Sequence, residues 1–327
     1  MDFLEMDAQR QHAPSRLPFF PIVFFAVVMG LSGLTLAWKS VAGNIAPDIY
    51  QWLGAITTVI ALIVCALYFL KTVLHRDAVR AEQNHPVMLN FFPAFSISLL
   101  LLSAIWQSTP SLALPLWGLG SGVQLLLTLY VLSRWIYDQH FQITHVNPAW
   151  FIPIVGNIIA PITGSQLGFI ELSWFFFSIG IVFWLVILTI VLNRLFFHEP
   201  LPLPMTPMLF ILLAPPSIAF VSYTSLIDGI DHFARVLYYV ALFIGLFLLV
   251  SIPRFIRVPF SLSSWGYSFP SAALTLATSK MATLIASPFL LSLSYALLLG
   301  VTLLIALLLI KTIKGLLNHT IISAESK

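Results

Sequence analysis

Hydrophobic residues in this chain run in long blocks, not in the alternation of a half-buried strand or the stripe of a soluble amphipathic helix. Ten blocks can be drawn, at 18–38, 49–73, 87–106, 111–135, 149–166, 169–193, 205–225, 232–252, 260–286 and 288–312. A helix needs roughly 20 apolar residues to cross the hydrocarbon of a bilayer. The pattern therefore predicts an all-α integral membrane protein with ten transmembrane helices. The connections are short, the longest being 74–86, 136–148 and 194–204. Short connections force sequence neighbours to pack antiparallel, so the ten helices are expected as five hairpins. Residues 18–315 then form one ten-helix transmembrane domain between an N-terminal segment, 1–17, and a C-terminal tail, 316–327.

Proline divides the blocks into two sets. Pro93 falls in the third, Pro153 and Pro161 in the fifth, Pro215 and Pro216 in the seventh and Pro270 in the ninth. The second, sixth and eighth have none, and the tenth has only Pro288 at its entrance. Pro21 and Pro115 stand near helix starts, where proline is tolerated without a kink. A proline inside a helix removes a hydrogen bond and frees a carbonyl, which in lipid must find protein or a water-lined cavity. The alternation predicts kinked inner, odd-numbered helices lining a central pore, with smooth even-numbered helices outside. The inner set also carries small and polar residues, among them Gly33, Ser96, Asn157 and Ser268. Any one of these can line a passage or simply let helices approach closely.

Composition and charge refine this picture. Of 327 residues 59% are hydrophobic and 8% charged, against about a quarter charged in soluble domains. The blocks leave no room for a soluble catalytic domain. Twelve of the 15 Lys and Arg residues fall on the side shared by both termini, and only Lys39, Arg235 and Lys280 on the other. That bias places both termini in the cytoplasm, and it spreads the net charge of +3 over loops rather than a nucleic-acid-binding patch. Asp2, Glu5 and Asp7 precede the first block, unlike a cleaved signal peptide. The lone Cys65 reads as a packed apolar side chain.

No metal-ligand spacing, nucleotide loop or paired cysteines appear, so no enzyme, metal or cofactor is expected. His85 and His145 read as solvated loop residues, and the run GLGSG at 118–122 as helix packing. Asn318-His319-Thr320 matches a glycosylation acceptor but falls on the cytoplasmic tail. None of the 12 carboxylates lies mid-block. Proton-driven carriers relay through such groups, so a passive conduit is favoured over a pump.

The stretches GLSGLTLAW (30–38), RAEQNHPV (80–87), NPAWFIPIVGN (147–157) and SWGYSFPSAALTLAT (264–278) resemble the tellurite-resistance TehA and C4-dicarboxylate transporter family, which includes the plant guard-cell slow anion channels. The resemblance extends from the first block to the last. It implies a homotrimer with a pore in each subunit, carrying small inorganic or organic anions across the bacterial inner membrane. It also implies that Phe269, within Trp265-Gly266-Tyr267-Ser268-Phe269, plugs the pore as its gate. An apolar constriction of that kind stops conduction by dewetting. The competing readings are a proton-coupled exporter or carrier of tellurite, sulfite or C4-dicarboxylates, and a membrane enzyme or assembly subunit with no conduit.

Overall fold

The computed structural model describes residues 16–138, 141–318 and 320–321. Most of the two terminal segments, and His319 of the glycosylation-like triplet, therefore lie outside the described residues. The α-helices are α1 (Phe25–Ala42), α2 (Pro47–Leu74), α3 (Arg76–Asn84), α4 (Ala94–Ile105), α5 (Pro110–Tyr137) and α6 (Phe151–Gly164). They continue with α7 (Ile170–Phe197), α8 (Ala214–Leu226), α9 (His232–Val250), α10 (Ile252–Phe255), α11 (Ser268–Leu284) and α12 (Pro288–Leu317). Local sequence explains several starts. Pro47, Pro110 and Pro288 open α2, α5 and α12, where the missing N–H is one the helix leaves unpaired in any case. Asp231 caps α9 by accepting from the Ala234 N–H at 2.8 Å.

Burial sorts the long helices into two classes. The apolar stretches containing α1, α4 and α8 are 83%, 89% and 78% buried, whereas those of α2, α5, α7, α9 and α12 are only 28% to 33% buried. Every residue of α6 is buried, as is most of α11. The five buried helices form a closed ring in which α1 packs on α4, α4 on α6, α6 on α8, α8 on α11, and α11 back on α1. Each exposed helix lies along the buried one before it. An apolar outer surface of this extent is what lipid contact requires.

The expected ten transmembrane helices in five hairpins are corrected by helix length and composition. Among the described residues, eight helices are long and apolar enough to cross a membrane. Three of the buried–exposed pairs join two such helices, and in the other two only the exposed partner qualifies. Pro148–Gly164, which contains α6, is apolar but falls in the 10–17 residue class; 17 residues at 1.5 Å each span about 25 Å, short of about 30 Å of hydrocarbon. The 17-residue α11 carries Ser268, Ser271, Thr275, Thr278, Ser279, Lys280 and Thr283, which lower its hydropathy.

The prolines also play a different part from the one expected. Each buried helix is entered through a 3-10 segment: Ile22–Phe24, Met88–Phe91, Pro148–Trp150, Leu203–Leu213 and Leu262–Tyr267. Pro93 is the N-cap of α4, Pro215 and Pro216 stand in the first turn of α8, and Pro153 and Pro270 are third in α6 and α11. At those places a missing N–H breaks no α-helical bond, so they mark the change from 3-10 to α geometry rather than mid-helix kinks. Among the buried α-helices only Pro161, in α6, is interior.

Candidate functional site

All five buried elements contribute to the wall of one cavity of about 50 Å³, four of them through their 3-10 entrances and α6 through its first turns. Its wall takes Met29 from α1, Ile97 from α4, Val155 from α6, Ile211 from the segment before α8, and Phe269 from α11. The lining is almost wholly apolar. A space of this size can hold water by volume, but water needs two or more polar partners to stay. A chamber with so few polar groups offers water and hydrated ions little to bind.

Phe269 is 6% exposed and faces this chamber. Its placement follows from the residues before it. Trp265 donates from Nε1 to Thr312 Oγ1 at 2.9 Å, fastening the segment to α12. At Gly266 an added Cβ would lie 3.1 Å from the Pro207 carbonyl oxygen, so two 3-10 segments meet where no side chain intervenes. Tyr267 packs edge-on to Phe210 with ring centroids 4.8 Å apart. Ser268 Oγ donates to the Trp265 carbonyl at 2.6 Å at the 3-10 to α junction. Gly33 completes the seat, since a Cβ there would stand 2.9 Å from Ala272 Cβ and 3.2 Å from Phe269 Cδ2.

The other sequence candidates divide. Pro215 and Pro270 line the chamber beside Phe269, and Gly33 leaves the space that a side chain there would contest with the Phe269 ring. Ser96, Asn157, Ser268, Pro93, Pro153, Pro161 and Pro216 do not contribute to its wall. Ser96 Oγ instead donates to Gln124 Oε1 at 2.7 Å. Gln124 Nε2 and Thr128 Oγ1 donate to the Pro153 carbonyl at 3.0 and 2.8 Å, and Asn157 Nδ2 donates to Thr128 Oγ1 at 2.9 Å. These groups knit α4 and α6 to the exposed α5.

Two further features escape a reading by blocks. Lys71, 1% exposed at the end of α2, pairs with Glu82 Oε1 of α3 at 2.9 Å and donates to the Phe20 carbonyl at 2.9 Å. Tyr68 OH donates to the other oxygen of Glu82 at 2.7 Å. This cluster fixes the entry to α1 beside the chamber. A lysine and a glutamate either side of the α2–α3 break were its only sequence signal. His85 is exposed, as expected of a solvated loop residue, but its ring is tied to its own loop. Its Nδ1 accepts from the Val87 and Met88 N–H groups at 3.2 and 3.3 Å, and partial burial and nearby His145 lower its pKa, with Glu82 opposing. Among the described residues no group of three or more His, Cys, Asp or Glu could hold a metal ion.

Comparison with known proteins follows this geometry. The profile of the family described as SLAC1, voltage-dependent anion channel, matches residues 19–313. The chain is 31% identical over 278 residues to the S-type anion channel SLAH3 of Arabidopsis thaliana, covering 82% of this chain and 44% of that protein. It is 29% identical over 279 residues to the guard cell S-type anion channel SLAC1 of the same plant, covering 80% and 50%. With the tellurite resistance protein TehA homolog of Haemophilus influenzae it shares 25% identity over 266 residues, covering 79% and 80%. The chain thus spans about half the length of these plant relatives.

Proposed function

Because the chain belongs to the SLAC1 voltage-dependent anion channel family, whose members are channels and transporters rather than enzymes, we propose that it passes small anions passively through its ring of buried helices, with Phe269 occluding the path at rest. The observation that carries this reading is the convergence of all five buried elements on one apolar chamber walled partly by Phe269. The ring closes the path by dewetting, and moving it aside breaks no hydrogen bond of the fold.

Passive movement is supported by the buried charges, since among the described residues those buried are Lys71 and Arg194 and no Asp or Glu. A proton-coupled carrier would need an intramembrane relay. The resemblance supports a homotrimer with one path per subunit in a bacterial inner membrane. Basic residues such as Arg16, Arg134, Arg254 and Lys311 cluster at the chamber end of the ring, which supports a cytoplasmic chamber.

The test is anion flux from liposomes and current in oocytes for wild type and Phe269→Ala. Loss of about 1.4 kcal/mol of preference for the closed ring is a factor of ten, so the variant's conductance should rise at least that much. Wild-type conductance in a folded Phe269→Ala protein refutes the gate. Flux that collapses without a pH gradient favours the coupled carrier.

A further inference from the structure

The end of the ring remote from the chamber has the opposite chemistry. Four of the five seams between neighbouring buried elements are crossed there by a hydrogen bond, and the fifth, between α6 and α8, is crossed nearer mid-helix. Lys39 Nζ of α1 donates to the Ile105 carbonyl of α4 at 3.4 Å. Ser103 Oγ of α4 meets Thr163 Oγ1 of α6 at 3.1 Å. Ser222 Oγ of α8 donates to the Ile158 carbonyl of α6. Lys280 Nζ of α11 donates to Ser225 Oγ of α8 at 2.7 Å and to the Val221 carbonyl at 3.1 Å. Ser40 Oγ of α1 donates to Ser279 Oγ of α11 at 3.0 Å, closing the circuit.

Two members of this belt are cations, and both lie half-buried on adjoining helices, since Ser40 and Ser279 are their immediate neighbours. Neither turns away to solvent as an interfacial lysine does when it snorkels. Lys39 is held on the carbonyl of the last residue of α4, where the helix dipole is negative, and Lys280 on a carbonyl and a hydroxyl of α8 in its C-terminal half. Carbonyls orient an ammonium group but do not cancel its charge. The nearby acidic group acting on Lys280 is Asp228, in the turn after α8.

We propose that Lys39 and Lys280 form an anion-selecting mouth, concentrating small hydrated anions such as halides, nitrate and short carboxylates at the end of the path opposite Phe269. This rests on the conduit reading above, and it supplies the charge preference that an apolar chamber lacks. A unit charge about 4 Å from a monovalent ion changes its local concentration about fivefold at the dielectric constant of water. At 1 M salt the screening length falls to about 3 Å and the effect fades.

The experiment uses purified full-length protein in planar bilayers, in the Phe269→Ala background and in wild type. Lys280→Met and Lys39→Met should each lower chloride conductance about fivefold in dilute KCl and shift the reversal potential toward potassium, with both deficits closing at 1 M salt. Lys280→Arg should retain the preference. Asp228→Asn, which leaves every bond of the belt in place, should raise conductance in dilute salt. Anion flux with unaltered reversal potential and salt dependence in Lys280→Met and Asp228→Asn overturns the proposal and leaves the conduit standing. Absence of anion flux from both wild type and Phe269→Ala overturns the conduit and this proposal with it.

Discussion

Gly33→Ala tests whether the seat of Phe269 governs conduction. The added methyl would sit 2.9 Å from Ala272 Cβ and 3.2 Å from Phe269 Cδ2. The Ala272 methyl is fixed to a buried helix and cannot swing away, whereas the Phe269 ring borders a chamber and can. Overpacking a tight core costs about 1–3 kcal/mol. If the strain falls on the occluded arrangement alone, about 1.4 kcal/mol per decade converts it to a rise in anion flux of about 5- to 150-fold. The same strain should lower the thermal unfolding temperature in detergent. Two controls separate gating from damage. Ala272→Gly added to Gly33→Ala removes the methyl–methyl clash and should restore stability and most of the occlusion. In the Phe269→Ala background Gly33→Ala should add little flux, because the side chain it displaces is gone. Stopped-flow anion uptake into proteoliposomes reads wild type and the four variants. A Gly33→Ala protein that is less stable yet no leakier than wild type refutes the link between this seat and conduction. So does a full multiplicative effect in the absence of the Phe269 ring.

Two predictions concern the entrance to the chamber. Lys71→Met leaves the half-buried Glu82 without its cation; removing one partner of a fully buried pair costs about 3–5 kcal/mol, and the partial exposure of Glu82 sets the loss at or below that range. Thermal unfolding should show it, recovered largely by Lys71→Met with Glu82→Leu, and equal losses in single and double variants would refute a coupled pair. The His85 pKa is lowered by desolvation and by nearby His145, with Glu82 opposing, and its Nδ1 accepts two backbone N–H groups, which a protonated ring could not do. A base whose folded pKa is depressed contributes stability above its unfolded pKa of about 6.5 and loses it as pH falls below that value. Unfolding temperature should therefore drop from pH 7 toward pH 5.5, less steeply in His85→Asn, which can still accept from the backbone; parallel pH profiles would refute the assignment.

The division into buried and exposed helices was legible because it depends on side-chain type repeated over many residues. The outer blocks are almost unbroken Leu, Ile, Val and Phe, and they are the exposed ones. The position of Phe269 was legible only through the stretch around it, because a lone phenylalanine among 27 carries no address. Two kinds of information were missing from the pattern. Hydropathy does not measure helix length after a 3-10 entrance, so the elements containing α6 and α11 were counted as spans although one is short and the other hydroxylated. Nor does it say which way a polar side chain points. Ser96 and Asn157 belong to a class of residue that lines passages, yet both turn toward the exposed α5, where Gln124 and Thr128 receive them. The lone glutamine of that block was the available sign, since a buried amide needs partners from its neighbours.

The prolines misled for a related physical reason. Their mere presence reports a lost N–H, and the cost of that loss depends on whether an α-helical acceptor was in reach. At Pro93, Pro153, Pro215, Pro216 and Pro270 the preceding segment is 3-10 or the first α-turn, so the chain loses no α-helical bond there. What these residues do is let five helices begin at a common level around one chamber. The same arrangement puts the helix C-termini together at the far end, where Lys39 reaches the last carbonyl of α4 and Lys280 reaches the Ser225 hydroxyl of α8. An apolar constriction at one end and a cationic belt at the other thus follow from a single geometric fact, five buried helices entered through 3-10 turns from the same side.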